Sequence, residues 1–393
     1  MERIHIDQLK TGMYVAGVIN NERQLAIKQC GVVQSMEMIH ALKSKGILQV
    51  VVDTEKEVKQ VPKIKEKKAP INTNKRLSLF KDLSAIKQLF KSANDVQRTL
   101  VKKVHDKKAL NVDDIEEVVG KLVNAVIDSD EALWFMTRIR KQDAYLLEHS
   151  LNVGVLLGLF AKYLGFEAAL IHELVLGGVL HDIGKLMIPS KILNKKGKLD
   201  SKEYRIMKGH VVLSQEIIEM QYKGIPAVSL TTLANHHEKV DGNGYPNGLT
   251  EDDIPFFGKM IAIVDVFDAI TAKRCYKDEV ANIKALAILL QESGKAFDPY
   301  LVAQFIKFIG TYPTGTLVAI EDGSFKKIAI IETKNEQEPL KPRVKSFYNI
   351  KSKNYIEIES IDLAAKNCSY KIVKAVTAQE FNIDMEELMQ RCF

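Results

Sequence analysis

The sequence of 393 residues has few cysteines, a single tryptophan and no long hydrophobic run. The four cysteines are Cys30, Cys275, Cys368 and Cys392. Because none forms a CxxC pair, cysteine-ligated zinc is excluded, and the scattered spacing is typical of a reducing compartment rather than a disulfide framework. The most apolar stretches, such as residues 174–180 and 260–270, are far shorter than the roughly 20 residues that a membrane span needs.

A secretory signal is not visible either, because the first residues mix polar and apolar side chains. We therefore expect a cytoplasmic protein without a membrane span. An excess of one charge is also missing, since 56 basic and 50 acidic residues give a net charge of only +6. This mild charge is compatible with an anionic small ligand, whereas a nucleic acid polymer, which we do not expect as a partner, would need a clustered basic face.

The composition is that of an ordinary globular protein, and the length is enough for two or three domains. Residues 1–54 alternate short apolar runs with glycine-containing turns, which predicts a small β-rich N-terminal domain with one helix near residues 35–45. Residues 55–76 are rich in lysine, contain two prolines and lack an apolar period. We interpret them as a linker, and favour a solvated tether over a basic tail for nucleic acid or membrane.

The rest of the chain changes from a helical to a β pattern. Apolar residues at i, i+3 and i+4 predict connecting helices over residues 77–130 and a helical catalytic domain over residues 131–310. Asn111 precedes a run with two early acids, which predicts a capped helix start. Residues 311–393 read as strand, turn and strand, which predicts a β-rich C-terminal extension. The predicted fold class is therefore mainly α.

The chemistry is concentrated in the middle of the chain, where five of the nine histidines occur with acidic partners. The candidate residues are His149, His181, Asp182, His210, His236, His237 and Asp265. Neutral imidazole and carboxylate together suit divalent iron, manganese or zinc. Each candidate lies on a segment with a helical pattern. Successive groups are separated in the sequence by about the length of one helix and the segment that leads back. Stacked helices could therefore present all of them to a common centre.

Three stretches of this set resemble the HD-GYP subgroup of the HD phosphohydrolase superfamily. The stretch 181–185 (HDIGK) is similar to the HD motif with its trailing lysine, and the stretch 236–246 (HHEKVDGNGYP) is similar to the HHExxDGxGYP motif. The third stretch, 264–271 (VDVFDAIT), is followed by Arg274 and Lys277 and is similar to the closing metal and phosphate segment. The resemblance covers roughly residues 130–310.

The resemblance implies a helical HD-type bundle in which the seven candidate residues ligate two divalent metal ions. Iron or manganese is expected, while zinc, nickel and magnesium stay open. Asp182 is the expected bridging ligand, and a metal-bridging hydroxide would attack the phosphodiester in line. His181, Asp182 and Lys185 are the expected catalytic residues. The residues expected to meet the substrate are Lys185, Tyr245, Arg274 and Lys277.

The loop from Asp241 to Pro246 has a physical rationale of its own. We expect Gly242 and Gly244 to take positive φ, so that the backbone turns sharply and presents Tyr245 for stacking and hydrogen bonding. Glu238 fits a supporting role as well as a direct one.

One position departs from the family pattern. Some members recruit a third metal through a glutamate one helical turn before the first histidine, but here that position is Tyr145. Glu148 is adjacent to His149 in sequence and on a helix would point about 100° away. We therefore predict a two-metal centre.

The leading interpretation is a phosphodiesterase that opens cyclic di-GMP to linear pGpG, and a second step to GMP stays open. Cyclic GMP-AMP stays open as the substrate, because no motif distinguishes guanine from adenine. A low-activity receptor or interaction module is the alternative of another class, but the complete ligand set and the intact Gly-Tyr-Pro loop favour an enzyme. A nucleotide or stringent-response phosphohydrolase would need the HD pair but not the second motif.

The flanking segments resemble known neighbours of such cores. Residues 4–15 are similar to the start of a small N-terminal domain of unknown function, and residues 310–316 are similar to a β extension that follows the core. A homodimer and a signalling-protein partner both stay open.

Overall fold

The computed structural model describes most of the second half of the chain and selected parts of the first. The described residues are 2–9, 13–19, 25–26, 31–32, 49–52, 75–106, 108–137, 145–195, 197–272, 280–323, 325–335 and 337–392. The chain divides into two compact units, one of Met1–Ala69 with Leu164–Glu167 and one of Pro70–Tyr163 with Ala168–Phe393. Within the described ranges, no helix combines the length and apolar character needed to cross a membrane.

The first unit contains a small antiparallel sheet, as the alternating pattern predicts. Its strands are β1 (Glu2–His5), β2 (Tyr14–Ile19), β3 (Leu25–Ala26), β4 (Gly31–Val32) and β5 (Gln49–Val52). They pair in the order β1-β5-β2-β3, with β4 also on β2. Val15, Val50 and Val52 pack with Ile6 and Leu9 into its apolar core. The helix expected near residues 35–45 lies outside the described residues.

The second unit is mainly helical, and the predicted fold class is confirmed. Its helices are α1 (Lys75–His105), α2 (Val112–Asp128), α3 (Asp130–Met136), α4 (Tyr145–Tyr163), α5 (Ala168–Leu180), α6 (Ser190–Leu193), α7 (Ser201–Lys208), α8 (His210–Gln221), α9 (Ala227–Ala234), α10 (Phe256–Thr271), α11 (Asn282–Gln291), α12 (Pro299–Ile309) and α13 (Met385–Cys392). Helix α1 begins at Lys75, two residues inside the segment interpreted as a linker.

The first helices follow their sequence patterns with one correction. On α1, Ile86, Phe90, Ala93 and Gln97 are buried, so a stripe with spacing of four, three and four residues faces the protein. Helix α2 begins directly after Asn111, as expected, but the Asn111 side chain makes no capping hydrogen bond. The two acids of the first turn therefore act on the helix dipole without a side-chain cap.

Helices α4 and α5 form the centre of the bundle and approach each other through glycine. A Cβ on Gly178 would lie only 2.6 Å from the Cα of Gly154 on α4, so the two backbones touch. Phe160 at the other end of α4 packs edge-on against Phe305 of α12, which in turn contacts Phe267 of α10 with ring centroids 5.1 Å apart. These contacts fix the relative positions of α4, α5 and α10.

The C-terminal part forms a second antiparallel sheet, as predicted, and then ends in a helix that the pattern did not predict. The strands are β6 (Leu317–Asp322), β7 (Phe325–Thr333), β8 (Arg343–Asn349), β9 (Asn354–Asp362) and β10 (Lys371–Ala375), in the order β10-β6-β7-β8-β9. One face buries Ile328, Ile330 and Phe347 against Leu388 of α13 and Phe135 of α3. The shared cluster packs this sheet onto the helical part.

Candidate metal centre

Three histidines lie just beyond the last turns of helices, and each donates its Nδ1 proton to a carbonyl three residues earlier. The bonds run from His181 to Gly178 (2.7 Å), from His210 to Met207 (2.7 Å) and from His236 to Leu233 (2.6 Å). Each bond satisfies a carbonyl that the helix end leaves without a partner. Because a carbonyl oxygen can only accept, Nδ1 carries a proton in each ring, which leaves Nε2 as the ring atom that can coordinate a metal.

The sequence predicts that all the candidate residues lie on helices. In the structure they are brought in by five helices, but some of them lie in the turns that follow a helix. The pair 181–182 occupies the turn after α5, and the pair 236–237 occupies the turn after α9. His210 is the first residue of α8, whereas His149 and Asp265 lie within α4 and α10. The turns explain why a whole pair can face one point, because adjacent residues on a helix diverge by about 100°.

The Nε2 atoms converge on Asp182. His210 Nε2 lies 3.3 Å from Asp182 Oδ1 and 3.3 Å from His236 Nε2, while His181 Nε2 lies 3.3 Å from Asp182 Oδ2. With the ring proton on Nδ1, as metal coordination by Nε2 requires, these contacts would bring the lone pairs of Nε2 against those of other nitrogen and oxygen atoms. Among the described residues, the buried His181 Nε2 and Asp182 Oδ1 have no hydrogen-bond partner. Such a set of donors fits a bound cation, which would accept all the lone pairs at once.

His149 joins the cluster from α4 and is held on both sides by carboxylates. Its Nδ1 donates to Asp268 Oδ2 at 2.7 Å, and its Nε2 lies 3.0 Å from Asp265 Oδ1. Burial lowers the pKa of His149, but the hydrogen bonds with Asp265 and Asp268 outweigh it and raise the pKa to about 9. The carboxylates therefore favour positive charge at this position.

Two further histidines and two carboxylates are held in the forms that bind metals. Burial, followed by the charges of neighbouring histidines, holds the pKa of His236 well below its ordinary value, and burial lowers the pKa of His237 to about 3. Burial would raise the pKa of Asp182, but the electrostatic interactions with His181 and Lys185 outweigh it and hold that pKa well below its usual range. The pKa of Asp265 is lowered in the same way by His149. Neutral His236 and His237 thus adjoin anionic Asp182 and Asp265.

Two groups of three side chains satisfy the spacing that a single ion needs. One is His149, His181 and Asp182, and the other is His210, His236 and His237, with ligand atoms within 4.8 Å of one another in each. Asp265 adjoins both, since its Oδ2 lies 3.8 Å from His237 Nδ1 while its Oδ1 contacts His149. The structure therefore brings the seven candidate residues together.

The turn that contains His181 and Asp182 is hydrogen-bonded to α8 through the buried side chain of Ser214. Ser214 Oγ accepts a hydrogen bond from Gly184 N (2.8 Å) and donates one to the carbonyl of His181 (2.8 Å). A Cβ on Gly184 would lie 2.1 Å from the carbonyl oxygen of His210, so only glycine allows this contact. Lys185 follows in the same turn, and its Nζ lies 2.5 Å from Asp182 Oδ2.

The Gly-Tyr-Pro loop is fixed by Glu238, whose buried carboxylate accepts hydrogen bonds from the backbone N–H groups of Asn247 (2.7 Å) and Leu249 (3.0 Å). This contact gives Glu238 a loop-supporting role. Gly242 has positive φ (77°), as expected, but Gly244 does not. Gly244 is needed for another reason, since a Cβ there would lie 2.3 Å from the backbone nitrogen of Lys239.

Tyr245 is presented beside the centre. Its ring centroid lies 4.7 Å from that of His237, with the planes tilted by 34°. Burial, then Tyr204 and the carboxylates Asp265 and Asp182, raise the pKa of Tyr245 far above its ordinary value. The hydroxyl therefore keeps its proton and can donate a hydrogen bond.

Some sequence-based expectations fall outside the described residues. These are the substrate contacts of Arg274 and Lys277 and the side chain of Tyr145. Asp268, which accepts the Nδ1 proton of His149, is a further residue of the centre that was not predicted from the sequence. Its signal was a carboxylate one helical turn after Asp265, on the same face of α10.

Comparison with known proteins finds a family match for the region of this centre. A family profile described as "HD domain" matches residues 129–301, which include all seven candidate ligands. This region of the chain is therefore similar to HD domains. A second profile, "Domain of unknown function (DUF3391)", matches residues 1–115 and precedes the HD domain. The HD-domain family binds divalent metals, and both histidine groups of this HD domain are arranged to hold them.

Several curated proteins that the chain resembles are named as cyclic-dinucleotide phosphodiesterases. The chain is 32% identical to a cyclic di-GMP phosphodiesterase of Pseudomonas aeruginosa over 275 residues, covering 70% of this chain and 65% of the relative. It is 47% identical to a 3′3′-cGAMP-specific phosphodiesterase of Vibrio cholerae over 123 residues (31% and 24%). It is 33% identical to a cyclic di-GMP phosphodiesterase of Thermotoga maritima over 192 residues (49% and 52%). The chain thus spans less than two thirds of the length of each of these relatives.

Proposed function

We propose that the protein is a metal-dependent phosphodiesterase that hydrolyses cyclic di-GMP to linear pGpG. The observation that carries the proposal is the convergence of imidazole Nε2 atoms and unpaired carboxylate oxygen on Asp182, directly beside the Tyr245 loop. A buried donor set of this kind suits divalent cations, and a partly buried phenol next to it suits a substrate that carries a base.

The proposed ligands form two sites that share Asp182. His149, His181 and Asp182 would hold one ion, and His210, His236 and His237 the other. Asp182 Oδ2 faces the first group and Oδ1 the second, which supports a bridging role. Asp265 adjoins both groups and completes the set. The donor types favour iron or manganese, and they suit zinc or nickel as well.

When bound, divalent cations would lower the pKa of a water molecule and neutralise negative charge on the phosphodiester. The residues of the chain prepare the site for that chemistry. Lys185 keeps Asp182 anionic through its contact at 2.5 Å and is one-fifth exposed, so its ammonium can also reach a phosphate oxygen. Tyr245 stays protonated and can donate a hydrogen bond to the substrate.

The choice of cyclic di-GMP rests on the relatives from Pseudomonas aeruginosa and Thermotoga maritima, which carry that name. A second substrate, cyclic GMP-AMP, is favoured by one specific observation. The identity to the cGAMP-specific relative from Vibrio cholerae is higher, at 47%, although over a shorter stretch. Both substrates use the same phosphodiester chemistry, so the proposed reaction type is common to them.

The test is hydrolysis by the purified protein loaded with manganese or iron. Cyclic di-GMP and cyclic GMP-AMP are incubated separately, and the products are resolved by chromatography. We expect pGpG from the first. His181→Ala and Asp182→Ala should abolish turnover, whereas the control His172→Ala should retain it, because His172 pairs with Glu116 (3.0 Å) outside the centre.

Each alternative has its own outcome. Binding of cyclic di-GMP without turnover would favour a receptor, and faster hydrolysis of cyclic GMP-AMP would make that the substrate. Retained activity in Asp182→Ala would refute the assigned centre. Metal analysis of anaerobically purified protein should give two ions per chain, and a clear third ion would contradict the two-metal proposal.

A further inference from the structure

Beyond the Tyr245 loop, an exposed aromatic side chain and an ammonium group continue the site outwards. Tyr204 and Lys208 lie on α7, four residues apart and therefore on one face of the helix. Neither residue belongs to the metal-ligand set or to the motifs of the sequence analysis. Lys208 is only two residues before His210, so the helix that carries this pair leads directly into the metal centre.

The rings form a continuous series from the metal centre to the surface. His237 contacts Tyr245 with ring centroids 4.7 Å apart, and Tyr245 contacts Tyr204 at 6.5 Å with the planes nearly perpendicular (79°). Nearly half of the surface of Tyr204 (49%) is exposed. An exposed tyrosine ring at this place offers an apolar surface next to the reacting end of the site.

Lys208 adds a positive charge to the same corner. Its Nζ lies 5.3 Å from the centroid of the Tyr204 ring and 5.7 Å from that of Tyr245. Cation–π attraction of this kind keeps the ammonium over the two rings. In the described part of the chain Lys208 forms no ion pair with a carboxylate, unlike Lys185 with Asp182 and Lys195 with Glu203. Its charge is therefore available to a phosphate.

The N-terminus of α7, the helix that carries Tyr204 and Lys208, is fixed by side-chain capping. Asp200 accepts hydrogen bonds from the backbone of Lys202 (2.8 Å) and Glu203 (2.9 Å), and the Glu203 carboxylate accepts one from the Asp200 N–H (2.9 Å). This reciprocal capping box fixes the first turn of α7. Tyr204 lies in the turn that follows, so its backbone position is defined before any ligand binds.

We propose that Tyr204 and Lys208 bind the half of the cyclic dinucleotide that is not being cleaved, with Tyr204 stacking on its purine and Lys208 contacting its phosphate. The inference rests on the proposed function, because it assumes a cyclic dinucleotide at the metal centre. Such a substrate contains two bases and two phosphodiesters. When one phosphodiester lies at the metals, the other base and phosphate must lie further out, where the structure places a ring and an ammonium.

The expected effect follows from the strength of base stacking. Removal of an aromatic platform costs about 1–3 kcal/mol per base, which corresponds to roughly a 5- to 140-fold change in an equilibrium constant. Since the contact is remote from the reacting phosphodiester, it should act on binding in the ground and transition states alike. We therefore expect Tyr204→Ala to raise KM in this range with little change in kcat.

The experiment compares cyclic di-GMP with cyclic di-UMP, whose pyrimidines offer less stacking area. The metal-loaded wild type should prefer the purine substrate, and Tyr204→Ala should lose most of that preference, whereas Tyr204→Phe should keep it. Lys208→Ala should raise KM for both substrates alike, and its effect should shrink as salt concentration rises. The matched control is Tyr300→Ala, which removes a similarly exposed tyrosine from α12.

The outcomes separate the two proposals. If the wild type hydrolyses neither substrate, the proposed function fails and this inference fails with it. If the wild type is active but Tyr204→Ala keeps its KM and its purine preference, only the inference is overturned. Tyr204→Leu retains apolar bulk on α7 without a π face, so it decides the matter if the alanine variant folds poorly. If Tyr204 had only a structural role, its substitution would not alter the ratio of kcat/KM for cyclic di-GMP to that for cyclic di-UMP.

Discussion

The bond between Asp268 and His149 offers a direct test of how the metal centre is held. Asp268 does not face the converging Nε2 atoms, but accepts the Nδ1 proton of His149 at 2.7 Å. Both side chains are buried, with 0% and 2% exposed. Asp268→Ala would remove the acceptor, and Asp268→Asn would replace the charged acceptor by a neutral one of the same size.

The structure sets the size of the effect. A hydrogen bond to a charged group contributes about 1.5–3 kcal/mol, which corresponds to roughly a 12- to 140-fold change in affinity. Loss of a carboxylate behind a metal-bound histidine typically costs about 10- to 100-fold in metal affinity or activity. We expect Asp268→Ala to weaken metal binding within this range, and Asp268→Asn to weaken it less, because an amide oxygen still accepts the proton.

Metal affinity is measured by competition with a chelator, and protein stability is measured separately by denaturant unfolding of the metal-free protein. A matched control is Asp298→Ala, because Asp298 caps α12 by accepting a hydrogen bond from Leu301 N (2.9 Å). That variant should lose about 1 kcal/mol of stability but no metal affinity. If Asp268→Ala binds metal as tightly as the wild type, the role given to the Asp268–His149 bond is wrong.

Other predictions concern the supports of the site and the metals themselves. Ser214→Ala leaves the buried Gly184 N–H without its acceptor, so the free energy of unfolding should fall by about 1–3 kcal/mol, and an unchanged denaturation midpoint would contradict this. Gly244→Ala forces a Cβ against the backbone of Lys239, and the displaced loop should lower kcat/KM for cyclic di-GMP by about 100-fold. Chelation should lower the thermal midpoint, and restoring metal to 100 times its Kd should return about 2.7 kcal/mol of stability; His181→Ala should respond far less.

The sequence predicts which residues are candidate ligands better than it predicts the backbone conformation on which they lie. Imidazole and carboxylate side chains at helix-length intervals were enough to assemble His149, His210 and Asp265 as candidates, because the chemistry of metal ligation depends on residue type. The pairs at 181–182 and 236–237 were expected on helices but lie in turns, since their histidines cap the preceding helix ends. Capping depends on where a helix stops, and periodicity locates helix ends only to within a few residues.

The residue roles that could not be predicted from the sequence depend on contacts between segments that are distant in the chain. Asp268 lies one helical turn after Asp265, but only the packing of α10 against α4 brings it to His149. Gly244 was expected to serve a positive φ, but the structure shows that it is required by the close approach of Lys239. The roles of Tyr204 and Lys208 likewise depend on α7 lying beside the Tyr245 loop, a juxtaposition that neither stretch of sequence encodes alone.

The backbone contact between α4 and α5 has a consequence for the spacing of two candidate ligands. Gly178 lies three residues before His181, and Gly154 lies five residues after His149, so the contact is about one helical turn from each. At Gly154 and Gly178 neither helix carries a side chain, so no change of rotamer at these two positions can widen or narrow the contact. The separation of the two helix segments that lead to His149 and His181 is therefore set by direct main-chain contact.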